Sequence, residues 1–161
     1  MWANWRSWSQ ERNSDRGVME NLGLKFHHFG LAVHAPAEAF AYLAALGYRE
    51  GAVEFDELQR VNVAMRHHDE MPDVEVIWPG DGPSPIDRLI KGRDSLIYHM
   101  CYCAPDADRS LAAIEAAGLQ LHTVAQPCPA ILFGGLAVSF HLIGGVGMIE
   151  LIHGEMPRPE R

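Results

Sequence analysis

Cysteine is scarce in this sequence, with Cys101, Cys103 and Cys128 as the whole set and no CxxC spacing among them. An odd, unspaced trio excludes a disulfide framework and a thiolate zinc site, and reads as reduced, buried thiols of a cytoplasmic protein. Long apolar runs are missing as well. No stretch of about 18 apolar residues occurs, so no membrane span is expected, and the polar start, Met1 to Gly17, lacks the apolar segment of a secretory signal. Basic residues are outnumbered, 13 Lys and Arg against 21 Asp and Glu, for a net charge of −8. That balance excludes the basic footprint of nucleic-acid binding, although a local cationic patch still suits an anionic small ligand. The glycine pairs Gly134-Gly135 and Gly144-Gly145 are not followed by helices, which excludes phosphate-binding loops.

What is present is enough apolar residue, 48% of 161, to build one compact domain or two small fused modules. An internal repeat decides for modules. The segment His28-Phe29-Gly30-Leu31-Ala32-Val33, then Pro36 and an Ala-rich helix ending at Leu46-Gly47-Tyr48, has a counterpart. It is His99-Met100-Cys101-Tyr102-Cys103, then Pro105 and an Ala-rich helix ending at Ala117-Gly118-Leu119. His28 to His99 and Gly47 to Gly118 are both offset by 71 residues (99 − 28 and 118 − 47).

Each copy predicts strand, helix, then three strands. Helices are expected over Pro36–Leu46 and Asp106–Ala117, with proline or acid at their starts and glycine past their ends. Strands are expected over Tyr48–Val53, Leu58–Arg66 and Val74–Trp78, and again over Leu119–Val124, Leu136–Leu142 and Gly147–His153. The organisation is an N-terminal tail over residues 1–22, a first βαβββ module over 23–80, and a linker over 81–95. A second βαβββ module over 96–154 and a C-terminal tail over 155–161 complete it. The linker holds a short helix at Ser84–Ile90. Trp2, Trp5 and Trp8 in the N-terminal tail share one helical face but read as part of a mobile extension.

Strand residues alternate faces. His28, Gly30 and Ala32 then share a face, as do Glu75 and Ile77, His99, Cys101 and Cys103, and Met148, Glu150 and Ile152. An inward carboxylate between apolar neighbours is costly unless it is paired or metal-bound. Glu75 and Glu150 occupy strands of the same rank in their modules, and so do His28 and His99. Two imidazoles and two carboxylates suit one divalent transition metal (Co, Ni, Mn, Zn or Fe), and are too oxygen-rich for a structural zinc site. Single inward residues of these types are more often satisfied core or edge residues; four of them, paired by a repeat, form a set. His27 is expected to face away from His28, and His67-His68-Asp69-Glu70 reads as a solvated turn. Cys101 and Cys103 read as small wall residues, since no base can be placed beside them. His141 falls one residue off the inward register.

These residues resemble the vicinal oxygen chelate superfamily of glyoxalases, extradiol dioxygenases and bleomycin-resistance proteins, over about Lys25 to Gly154. The stretches Val74-Glu75-Val76-Ile77-Trp78-Pro79, Ser84-Pro85-Ile86, Tyr98-His99-Met100 and Gly147-Met148-Ile149-Glu150-Leu151 are most similar to methylmalonyl-CoA epimerase-like members. The resemblance implies an α+β fold in which two βαβββ modules form a cupped, half-open, barrel-like sheet with helices outside. It also implies that His28, Glu75, His99 and Glu150 hold the metal. The implied activity is a metal-dependent isomerisation or epimerisation. A proton α to a carbonyl leaves a chelated small acyl substrate, possibly linked to CoA or a carrier protein, with Glu75 or Glu150 as base. Arg88, Lys91 and Arg93 are the cations expected to meet its phosphates, and a homodimer is expected. Two departures from the epimerase pattern stand in this chain: Phe140–Gly145 replaces a His-Pro-Lys-like stretch, and Val63 stands where some members have a carboxylate. Rival readings are a lactoylglutathione-lyase-like isomerase using the same four residues, a ring-cleaving Fe(II) dioxygenase, which the extra Glu75 disfavours, and a non-catalytic binder of a drug or metabolite.

Overall fold

The computed structural model describes residues 22–156; the Trp2, Trp5 and Trp8 face and the end of the C-terminal tail lie outside them. The order of elements is βαβββ twice. The first module comprises β1 (Lys25–Val33), α1 (Ala37–Ala45), β2 (Arg49–Asp56), β3 (Val61–His67) and β4 (Asp73–Pro79). The second comprises β5 (Ser95–Ala104), α2 (Ala107–Ala116), β6 (Leu121–Pro129), β7 (Ala137–Ile143) and β8 (Gly147–His153). Single 3-10 turns at Pro85–Arg88 and Ile131–Phe133 complete the chain.

Local chemistry sets the ends of these elements. Asp106 caps α2 by accepting the Arg109 N–H at 3.0 Å, and Gly118 (φ 80°) lets the chain leave it in a left-handed turn. Ser84 and Asp87 form a reciprocal cap around the linker turn, with Pro85 in its first position. Three boundaries differ from the sequence expectation by three residues or more, the end of β2 at Asp56 instead of Val53 among them. Leu58 lies in a turn rather than in β3, because the Asp56 carboxylate accepts the N–H groups of Leu58 and Gln59, both at 2.9 Å, and bends the chain. β6 runs on to Pro129 through Pro127. It is an edge strand, where a residue lacking an N–H costs no ladder bond on the open side.

All eight strands form one sheet in the order β2-β3-β4-β1-β5-β8-β7-β6. Within each module the outer ladders are antiparallel and the first and last strands pair in parallel. The modules join through the antiparallel pair β1–β5. The repeat is kept in the ladders: His28 lies opposite Asp73, and His99 opposite Met148. Glu75 and Glu150 each stand two residues beyond those partners.

The two faces of the sheet are packed differently. On the outside, α1 sets Leu43 and Phe40 against Val33, Val76 and Trp78. There α2 sets Ala107 and Ile114 against Ala104, Ile143, Ile149 and Leu151. On the inside, Met65 of β3 shares a cluster with Cys101, Phe133, Val138 and Ile152 of the second module. Strands far apart in the sheet order meet there only because the sheet curls. The edge strands β2 and β6 do not pair, so the result is a cupped sheet, not a closed barrel. The α+β architecture, two βαβββ modules in a cupped sheet with helices outside, is the one the family resemblance implied. Ile114 is 1% exposed under α2. Ile114→Ala is expected to cost about 2–5 kcal/mol, seen as a lower urea midpoint at unchanged denaturant slope.

Candidate metal centre

The four central strands β4, β1, β5 and β8 each send one polar side chain into the cup: Glu75, His28, His99 and Glu150. All four are buried, with His28 at 0% exposure and Glu75, the most exposed, at 7%. Their ligand atoms converge. His28 Nε2 lies 3.3 Å from Glu75 Oε2, 3.5 Å from Glu150 Oε2 and 3.3 Å from His99 Nε2. His99 Nε2 lies 3.5 Å from Glu75 Oε2 and 3.4 Å from Glu150 Oε2.

These separations test whether the residues fit a metal ion. Nitrogen and oxygen ligands about 2.1 Å from a shared divalent ion stand about 3.0–3.4 Å apart when they are neighbours in its coordination shell. Three of the five measured edges fall within that spacing and two, at 3.5 Å, lie just beyond it, whereas all five exceed the usual length of a direct N–H···O hydrogen bond. Glu150 Oε2 has no hydrogen-bond partner despite its burial, so it is an acceptor aimed into the cluster and left without a donor. The donor set is chemically suited as well. Burial pushes the imidazoles of His28 and His99 down to about 3, so both are neutral near pH 7 and able to offer a nitrogen lone pair. Burial raises the Glu75 carboxyl, against a smaller opposing pull from His99. Burial and then the neighbouring Glu75 raise Glu150 well above the carboxylate range. A cation at their common point would reverse both effects.

The surroundings keep this point dry. Phe133 stacks on the His28 ring at 5.7 Å and 29°. Tyr98 and Phe140 meet His99 edge-on at 4.5 and 5.6 Å between ring centroids. Gly30 lies opposite His99 in the β1–β5 ladder; a Cβ there would stand 2.2 Å from the imidazole, so only glycine leaves room for the ring. A cavity of about 310 Å³, lined by Phe55, Leu58, Ala130, Ile131 and Gly135 among others, borders the turn that carries Phe133.

Arg88, Lys91 and Arg93 are exposed on the linker and take no part in the buried cluster. Cys101 is fully buried opposite His28, and its thiol is held protonated, first by burial and then by the nearby Glu150 carboxylate. His67 pairs with Asp73 at 2.8 Å, and His68 Nδ1 accepts the N–H groups of Glu70 and Met71, which makes that stretch a structured turn. His141 packs on the helix side of the sheet. Its Nε2 lies 2.8 Å from Ser139 Oγ, which is also 2.8 Å from His153 Nε2.

His27 departs from expectation. A register shift between Phe26 and His28 interrupts the β1–β5 pairing, and the bulge turns His27 toward the cup instead of away from it. Its Nδ1 lies 2.8 Å from His28 Nδ1. Phe133 lies in a turn of apolar residues that carries no polar signal in the sequence.

A profile of the Glyoxalase/Bleomycin resistance protein/Dioxygenase superfamily matches residues 27–131. No curated protein matches the sequence. Among solved structures, methylmalonyl-CoA epimerase from Mycobacterium tuberculosis superposes with a TM-score of 0.65 at 20% identity, covering 81% of this chain and 87% of that one. A hypothetical protein from Bacillus halodurans gives 0.67 at 21%, covering 86% and 99%. The Streptomyces coelicolor methylmalonyl-CoA epimerase in complex with 2-nitronate-propionyl-CoA gives 0.64 at 18%, covering 81% and 96%. Identities this low speak for the shared fold, and the matched profile spans the first module and the second as far as β6, more than half of the chain: the chain belongs to the glyoxalase/bleomycin resistance/dioxygenase superfamily.

Proposed function

We propose that this protein binds one divalent metal through His28, Glu75, His99 and Glu150. On this reading it acts as an isomerase or epimerase that removes a proton α to the carbonyl of a small acyl substrate, of the methylmalonyl-CoA-like thioester kind. The observation that carries the reading is the meeting of two imidazole nitrogens and two carboxylate oxygens at one buried point. The bound ion would supply Lewis acidity to the substrate carbonyl.

The chain's own residues do the rest. His28 and His99, neutral and held between aromatic rings, orient their Nε2 atoms without competing for protons. Glu75 and Glu150 are the proton-handling groups. The carboxylate that loosened from the ion would regain the proton affinity that burial raises, closer to the range in which it exchanges a proton with a weak carbon acid near neutral pH. They descend from equivalent strands of the two modules, which supports a role on either side of a substrate whose proton must leave one face and return to the other. Phe133, Tyr98 and Phe140 keep bulk water from the reacting carbon. The solved epimerase complexes with acyl-CoA ligands support a CoA- or carrier-linked substrate, whose phosphates the exposed Arg88, Lys91 and Arg93 would meet. Three free cysteines and no described helix long and apolar enough to cross a membrane support a cytoplasmic setting. A homodimer is proposed from the superfamily.

Elemental analysis of protein purified without chelator should find about one Co, Ni, Mn, Zn or Fe per chain. The metal should be absent from His28→Ala and Glu150→Ala variants that remain folded. The loaded protein should exchange the α-hydrogen of methylmalonyl-CoA in deuterated water. Metal-free wild-type protein after reconstitution would defeat the reading and leave a metabolite-binding cup. Full exchange by a metal-loaded Glu150→Gln variant would remove Glu150 as the base.

The pH dependence follows from the shifts. Metal binding requires both carboxylates ionised, and their proton affinities are raised, so affinity should climb with pH above the ordinary carboxylate range. Binding should therefore release protons, measurable by calorimetry in buffers of different ionisation enthalpy. Protonation of His28 and His99 near 6.5 should leave no inflection, since these imidazoles stay neutral down to about 3.

A further inference from the structure

We propose that His27 is a positioning residue for the metal centre. Its Nδ1 accepts a hydrogen bond from the Nδ1–H of His28, and so holds His28 in the one tautomer whose Nε2 lone pair points at Glu75, His99 and Glu150. The inference rests on the metal-binding reading above and adds to it a fifth residue that touches none of the ligand atoms.

The geometry is specific. The contact between the two Nδ1 atoms is 2.8 Å, the shortest polar contact that His28 makes, against 3.3 Å from its Nε2 to Glu75. A neutral imidazole carries one N–H and one lone pair. A hydrogen at His28 Nδ1 leaves Nε2 bare, and His27 then carries its own hydrogen on Nε2. Phe133 clamps both rings, edge-on to His27 at 5.7 Å and stacked on His28 at 5.7 Å. Histidines that bind metals through one nitrogen are generally oriented by an acceptor at the other. A neighbouring residue fills that place here because the bulge at Phe26–His28 turns consecutive side chains into one cavity.

The second module does not repeat the device. The position equivalent to His27, by the 71-residue offset, is Tyr98, which meets His99 through its ring. His99 Nδ1 is buried without a hydrogen-bond partner. The pseudo-symmetric site is therefore asymmetric one bond out: His28 is locked and His99 is free to exchange tautomers.

The test is nitrogen-15 NMR of histidine-labelled protein, metal-free and loaded with Zn²⁺, with the ring signals assigned from a His28→Gln variant. His28 should carry its hydrogen on Nδ1 in both states, with a through-bond coupling to His27 Nδ1. His27→Ala should abolish the coupling and weaken Zn²⁺ binding about 10–100-fold in a chelator competition. His27→Asn, which restores an acceptor oxygen, should recover most of that loss. A hydrogen on Nε2 of His28, or a folded His27→Ala variant with undiminished Zn²⁺ affinity, would overturn the proposal. The metal-free spectrum decides the tautomer even if wild-type protein takes up no Zn²⁺, and that failure would fall on the metal reading instead.

Discussion

Two carboxylates buried against two neutral imidazoles are the constraint around which this structure is arranged. Each acid loses water on entering the cup, and Glu75 further raises the proton affinity of Glu150. Such a group is tolerated only where the surrounding fold is held by other means. Those means are on the outside of the sheet, where α1 and α2 bury the leucines, isoleucines and valines of β1, β4 and β8, together with Met100, Tyr102 and Ala104 of β5. The strands that carry the polar cluster are thus anchored by their opposite faces, and period-two alternation separates the two tasks along each strand.

The repeat explains how the cluster is assembled. The helix and first strand of each module are offset by 71 residues, but Glu75 and Glu150 differ by 75 (150 − 75), so four residues have entered the second module after its helix. The ladders absorb the difference: in both modules the acid stands two residues beyond the ladder partner of the histidine. The antiparallel junction β1–β5 then places the two half-sets face to face. The symmetry is broken where sterics require it. Gly30 makes room for His99, while its counterpart Cys101 keeps a side chain beside Glu150. Phe133 closes the cup from the second module alone.

Fold and chemistry rest on different observations. Superposition on epimerases at about 20% identity establishes the cupped paired-module architecture, which hosts many reactions. The chemical reading comes from the local convergence of four ligand atoms, the neutral state of the imidazoles and the unpartnered Glu150 oxygen. The exposed linker cations sit outside that cluster and bear on the substrate's distal groups, not on the reacting carbon.

The sequence by itself determined the βαβββ repeat and the inward side of its strands. Alternation and offset are local properties, readable from His28, His99, Glu75 and Glu150 without knowing which strands pair. It also carried the helix ends, because Asp106, Gly47 and Gly118 act within a few residues of themselves. Tertiary structure alone decided the strand order, the curl that lets Met65 pack against the second module, and the convergence of four side chains on one point. It decided the bulge that turns His27 inward, which depends on how β1 registers against β5, a strand some 70 residues away. It decided the place of Phe133 as well, since a turn of apolar residues shows nothing of what it covers. Alternation is written into each strand by backbone geometry, whereas register, bulge and curl arise only when distant strands meet.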